Sequence, residues 1–294
     1  MNVIVFGGSG FVGRNVVEEL CKNGITVKVV CSNIKKAYKI FGDSVNITAF
    51  DIFNTEVLQN ETKGYDVAIN LIGKLYEKNT GYFQKFHVEF PLMLAQNFHG
   101  HIIHISACGI KLSSQTTIYG KTKFDGERVI EENAKSYNII APSVIFGEDD
   151  GFFNLFAMFS KFSPFLPLIG KGNTLFQPVF VGDVAKAIVF LVQNYQQYVN
   201  RNYIACGNDV ISFKEVLRFI LKVMHRKRLL INLPFVIAKY YARLMNFFGV
   251  YLLTADQVET LKYNNIQTKE DVNIDTLIGN LQSYGEIVPQ YLNT

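Results

Sequence analysis

Near its start the chain passes from a short apolar run, Val3 to Phe6, through three glycines, Gly7, Gly10 and Gly13. Val12, Val16, Val17 and Leu20 then recur at helical spacing. The glycines therefore fall where a strand must turn into a helix. Gly7 can adopt a backbone that side chains forbid, Gly10 lets the main chain approach a bound group, and Gly13 lets the helix lie close on its strand. A helix starting there presents free N–H groups and the positive end of its dipole, so the expected guest is an anion, a pyrophosphate in particular. Phe11, Val12 and Arg14 share the turn and are candidate lining residues.

Apolar strand-like runs recur at Val27–Cys31, Val45–Phe50, Val67–Gly73, His101–Ser106 and Tyr137–Ser143, with helical patterns such as 81–98 and 121–133 between them. This alternation predicts an α/β fold, a Rossmann-like doubly wound parallel sheet, with ligands at the carboxyl ends of the strands. Asp51 and Ile52, Leu71, Ile72 and Gly73, and Pro142 and Ser143 stand at such ends. From Gly151 the texture becomes aromatic and is broken by prolines and glycines. We therefore expect a nucleotide-binding domain over 1–150 and a smaller, mostly helical C-terminal part over 151–294. The strand-helix string "FQPVFVGDVAKAIVFLV" implies that this second part is interleaved with the sheet. Asp183 is expected to cap a helix from Val184 to Val192.

With 294 residues, 49% hydrophobic and 18% charged, the chain can bury a large core. A formal charge of +4 without a dense basic stripe argues against nucleic acid, Arg226, Lys227 and Arg228 being its one compact basic group. Cys21, Cys31, Cys108 and Cys206 lack Cys-x-x-Cys spacing, which predicts neither a disulfide framework nor a zinc site, and suits a reducing compartment. His101 and His104 of "FHGHIIH" would point to opposite faces of a strand, so no metal site is expected. No run reaches the ~20 apolar residues of a membrane span. The first strand begins almost at Met1, leaving no room for a leader, and a bacterial cytoplasmic or already processed organellar protein is expected.

At the end of the second strand, where NAD-selective sites carry an acid for the ribose 2′-hydroxyl, this chain has Cys31, Ser32 and Asn33. Arg14, Lys35 and Lys36 could instead pair with a 2′-phosphate, so NADP(H) is preferred over NAD(H). Asp51 could accept from the adenine amino group, or simply cap the next helix. Tyr119 and Lys123 stand at i, i+4 on one helical face, an arrangement in which a lysine ammonium can lower a tyrosine pKa for proton transfer at a carbonyl or alcohol.

The strings "FGGSGFVGR", "YGKTK", "APSVIFG" and "QPVFVGDVAKAI" resemble the atypical, extended branch of the short-chain dehydrogenases/reductases. "VAINLIGKLYE", "FHVEFPLMLAQ", "KTKFDGE", the long run from Pro142 to Ile188 and, more loosely, "LTADQVETL" are similar to the accessory subunit of respiratory complex I that has this fold, and to its bacterial relatives. The resemblance implies a tightly held NADPH and a structural or assembly role. It also implies docking on the peripheral arm of NADH:ubiquinone oxidoreductase, on the cytoplasmic face of the inner membrane. It implies Tyr119, Lys123 and Ser106 as the catalytic set, with Tyr119, Lys123, Pro142 and Ser143 also on the nicotinamide side. Cys108 departs from the pattern, standing where a hydroxyl residue is expected, and a thiol is a weak donor. The alternative is a soluble NADPH-dependent reductase or sugar-nucleotide epimerase/dehydratase using Tyr119 and Lys123. In "PFVIAKYYARLMNFFGVY", Ile237, Tyr241, Leu244 and Phe248 form a stripe opposite Lys239, Arg243 and Asn246. That stripe either covers the protein's own core or rests on anionic lipid or a partner.

Overall fold

The computed structural model describes residues 1–77, 79–247 and 253–292. Seven parallel strands form one sheet: β1 (Asn2–Phe6), β2 (Thr26–Val30), β3 (Asn46–Thr48), β4 (Val67–Asn70), β5 (His101–Ile105), β6 (Tyr137–Pro142) and the edge strand Arg201–Ala205. Their order is Arg201–Ala205, β6, β5, β4, β1, β2, β3. The order reverses at β1, whose neighbours β2 and β4 leave in opposite directions, and this opens a crevice beyond the carboxyl end of β1.

Alternation along β1 explains its apolar run. Val3 and Val5 face α1 (Phe11–Lys22), which contributes Val16, Val17 and Leu20, and the Val181–Asn194 helix, which contributes Val184, Ile188 and Leu191. Ile4 and Phe6 face the opposite layer, with Phe90, Leu94 and Ile102. A separate core, rich in phenylalanine, joins Phe146, Phe153, Phe176 and Phe213 with Leu217 and Ile220 in the second half of the chain. That half also returns to the sheet: Arg201–Ala205 pairs with β6, and Val181–Asn194 lies against α1.

Several boundaries differ from the sequence pattern for local reasons. The expected strand Val45–Phe50 is reduced to Asn46–Thr48 at the sheet edge. The pattern over 81–98 is interrupted by a wide turn, Lys85–Glu89, with five-residue hydrogen bonding. His87 in that turn bonds to the Lys74 N–H and to Thr122. The Ile118–Asn133 helix begins where Thr117 accepts from the Gly120 N–H. Asp183 does not cap its helix, which begins at Val181. It lies in the first turn, fully buried, and accepts from the Gln282 N–H at 2.6 Å, tying the C-terminal segment to the sheet layer.

Candidate functional site

At the crevice Gly7 has φ of +81° and donates its N–H to the Val30 carbonyl. A Cβ there would lie 3.2–3.3 Å from the backbone of Leu71 and Ile72, so the glycine turn and the end of β4 meet closely. A Cβ at Gly13 would run into the Gly7 carbonyl and lie 2.7 Å from Gly8 Cα. Gly13 thus seats the helix on the glycine turn itself. No side-chain hydrogen bond caps α1, and the Gly10 N–H turns back to the Gly7 carbonyl. The first N–H groups of α1, on Phe11, Val12 and Gly13, therefore have no side-chain acceptor, as a phosphate cradle requires.

Ser32, Lys35 and Lys36 are exposed beyond β2, at the start of the helix Ile34–Phe41, where Asn33 accepts from the Lys36 N–H. The Arg14 guanidinium lies 2.5 Å from Asp149 and over the Phe11 ring, lining a groove of about 800 Å³ along α1 that Val17, Cys21 and Tyr291 also line. Asp51 lies beyond β3, exposed beside Ile52, and accepts from the Phe53 N–H at 3.0 Å. The capping role falls to Asn54, which accepts from the Val57 N–H. Gly73 faces open space at the end of β4.

Tyr119 opens the Ile118–Asn133 helix, and its ring meets Phe83 and His87 edge-on at 5.7 and 5.6 Å. Both Asp256 carboxylate oxygens accept from the helix start, one from Ile118 N–H and one from Tyr119 N–H. Burial, and next the nearby Asp256 charge, push the Tyr119 phenol up to about 12. This is the opposite of the lowering that proton transfer near neutral pH needs. Lys123 is buried and donates from Nζ to the Ile105 carbonyl at 2.6 Å. Burial brings its ammonium down to about 8, opposed by Glu127. Ser106 is buried on the same side of β5 as His104, near Glu127, whose carboxyl is raised by burial against the opposing pull of Ser106 and Lys123.

The sequence pattern did not expose two groups of residues that shape this region. The first is a buried pair of histidines: His87, held by Lys74 N–H and Thr122, and His104, 3.1 Å from Asn70 Nδ2. His101, on the other face of β5, bonds Ser136 and Asn138. The second is a chain segment around Asn265. Ser143 donates to its carbonyl at 2.8 Å and to its side chain at 2.5 Å, while Asn265 Nδ2 donates to the Cys108 carbonyl at 2.6 Å. Gln177 donates its N–H to the Asn265 carbonyl and accepts from the Gln267 N–H. The segment therefore crosses the carboxyl ends of β5 and β6. These partners lie 88 to 157 residues apart, beyond the reach of any local spacing rule.

The switch-point crevice, the glycine turn and the uncapped helix above it define a Rossmann-type nucleotide-binding protein. A match to the NAD dependent epimerase/dehydratase family spans residues 3–207, and the chain belongs to that family, within the extended short-chain dehydrogenases/reductases. It is 32% identical over 81% of its length to the mitochondrial NADH dehydrogenase [ubiquinone] 1 alpha subcomplex subunit 9 of Arabidopsis thaliana, spanning 61% of that protein. The Mus musculus protein of the same name is 27% identical, over 93% of this chain and 74% of its own length. Among solved structures, the Citrobacter sp. triphenylmethane reductase complexed with NADP(H) shares the fold, with a TM-score of 0.75 at 19% identity, over 99% of this chain and 100% of that one.

Proposed function

We propose that the chain is an NADP(H)-binding accessory or assembly subunit of NADH:ubiquinone oxidoreductase in which the nucleotide is structural. The observation that carries this reading is the Asn265 segment: it ties together the chain beyond β5 and β6 through bonds to the Cys108 carbonyl and to Ser143, on the side of the sheet from which a substrate would approach. A raised Tyr119 and a thiol in the hydroxyl position support it. The residues that would hold the nucleotide are Gly7, Gly10, Phe11, Val12 and Gly13 at the phosphates, with Arg14 at a 2′-phosphate. Ser32, Lys35 and Lys36 would stand at the adenosine ribose, Asp51 and Ile52 at the adenine. Leu71, Ile72, Gly73, Tyr119, Lys123, Pro142 and Ser143 would line the nicotinamide side. When bound, the nucleotide supplies a hydride carrier in an enzyme; here its contribution is mass-action stabilisation of the native fold.

Purification without added nucleotide, then denaturation and mass spectrometry of the supernatant, is expected to give stoichiometric NADPH that candidate carbonyl substrates leave unoxidised. Gly10→Asp, which places a carboxylate at the phosphate cradle, should empty the site. An empty wild-type site that fills and turns over would replace this reading with that of a soluble reductase or epimerase/dehydratase using Tyr119, Lys123 and Ser106. Unchanged nucleotide in Gly10→Asp would remove the glycine turn from the site.

The same reading places the protein at a membrane surface, on the cytoplasmic face of a bacterial inner membrane, in contact with peripheral-arm subunits. In the Phe235–Phe247 helix, Ala238 and Ala242 face the core, whereas Ile237, Tyr241 and Leu244 are 54–60% exposed. The apolar stripe therefore faces outward, and Val236 and Tyr240 of the same helix are exposed as well. Phe248 lies outside the described residues. Lys227 and Arg243 are exposed near this surface in sequence, and no helix among the described residues is long and apolar enough to cross a membrane. An aromatic surface with neighbouring cations suits an anionic lipid interface. Flotation with phosphatidylglycerol vesicles should recover the protein, and Ile237→Ser/Tyr241→Ser/Leu244→Ser should lower recovery several-fold. Equal recovery of the two proteins would mean the stripe serves something other than lipid.

A further inference from the structure

We propose that Cys108 and Cys206 form an oxidisable thiol pair that a hydroperoxide converts to an intramolecular disulfide. The two residues are 98 positions apart, and neither lies in a recognisable redox motif. Cys108 follows β5, and Cys206 follows the edge strand Arg201–Ala205. β6 runs between them, and both loops fold over its end: Cys108 N–H donates to the Pro142 carbonyl at 2.8 Å, and Ser143 N–H to the Ala205 carbonyl at 2.9 Å. This brings the two sulfurs to 3.9 Å in a buried position. Closing a disulfide from there needs a sulfur shift of about 2 Å, within reach of side-chain rotation.

The surroundings assign different parts to the two thiols. The Cys206 S–H donates to Cys108 Sγ, which favours the Cys108 thiolate, pushing the Cys108 thiol down and Cys206 well up. Cys206 is fully buried whereas Cys108 keeps 6% of its surface exposed, so Cys108 is the sulfur that meets the oxidant, and Cys206 the one that resolves it. The Cys108 thiolate attacks one peroxide oxygen, the O–O bond breaks, and Cys108 becomes a sulfenic acid as alkoxide or hydroxide leaves and takes up a proton. Cys206 sulfur then attacks Cys108 Sγ, its proton leaves with the hydroxyl as water, and the S–S bond forms. In sum, two thiols and one hydroperoxide give one disulfide, one alcohol or water from the peroxide, and one further water.

As a neutral thiol, Cys108 also donates its S–H to the Ile266 carbonyl at 3.4 Å. Disulfide formation removes that donor and loosens one tie on the segment around Asn265. The other two cysteines have no part: Cys21 is exposed on α1, and Cys31 Sγ donates to the Thr48 carbonyl.

The test uses the full chain carrying Cys21→Ser, exposed to hydrogen peroxide and then digested without reduction. The expected result is loss of about 2 Da, from two hydrogens, and one cross-linked peptide pair containing Cys108 and Cys206, reversed by dithiothreitol. With Cys206→Ser added, the cross-link disappears and Cys108 is trapped as a sulfenic acid by a cyclic diketone. Peroxide that carries Cys108 to sulfinic or sulfonic acid while Cys206 stays a thiol would overturn the pairing. So would both residues remaining thiols. If Cys206→Ser does not fold, the peptide map of the Cys21→Ser protein decides alone.

Discussion

Acidification from pH 7 to pH 5 is expected to remove roughly 6 kcal/mol of folding stability, at about 1.4 kcal/mol per pH unit for each of three histidines. His87, His101 and His104 are each 1% exposed. Burial, with the Lys123 charge second for two of them, lowers His87 to about 3, His101 to about 4, and His104 well below its ordinary value. In the folded protein they stay neutral, whereas in the unfolded chain they take up protons below about pH 6.5. The unfolded state then binds more protons, so stability is complete above that pH and falls as pH drops toward the folded values. Buried carboxyls at Glu127 and Asp150, both raised, act in the opposite sense at the acid end. Denaturant unfolding at a series of pH values should show a slope of about three protons, reduced by about one in His104→Leu. A slope below one proton between pH 6.5 and 5 would show that the histidines are protonated within the fold.

The second large effect is steric. Gly13→Ala is expected to cost at least about 3 kcal/mol, the upper range for overpacking, because its new methyl meets backbone rather than a side chain that could rotate away. The contacts would be the Gly7 carbonyl and Gly8 Cα, so α1 must lift from the turn it is seated on. The nucleotide content should fall with stability, since the same lift displaces the N–H groups of Phe11 and Val12. Gly8→Ala is the control: its methyl would meet Val29 and Val17 methyl groups at 3.0–3.3 Å, contacts that side chains can relieve. Thermal unfolding of the two variants measures the difference, and equal losses would mean that the close approach at Gly13 carries no special weight.

Particular residues show how far local pattern reaches. Gly7, Gly10 and Gly13 announced a strand-turn-helix, and the structure has one, because backbone conformation and helix periodicity are properties of neighbours in sequence. The alternation of apolar runs likewise dictated a parallel sheet, while the strand order that puts the switch point at β1 came only from the structure. Arg14 shows the first limit: its charge was legible, but its partner Asp149 lies 135 positions away, and only the folded chain brings the two together. The Ile237, Tyr241 and Leu244 stripe shows a second. Periodicity defined the stripe, yet the smaller Ala238 and Ala242 face became the inner one, since close helix packing takes small residues and leaves the aromatic face outside.

What the sequence by itself determined is therefore the nucleotide-binding scaffold and the i, i+4 relation of Tyr119 and Lys123. Only the tertiary structure decided what surrounds that pair. It set the buried histidines beside Lys123, the Asp256 charge that raises Tyr119, the Asn265 segment across β5 and β6, and Cys206 against Cys108. Each of these is a contact between distant parts of the chain, made where strand ends converge. Burial and electrostatics depend on such contacts, so the character of the site is set by folding as a whole rather than by any motif within it.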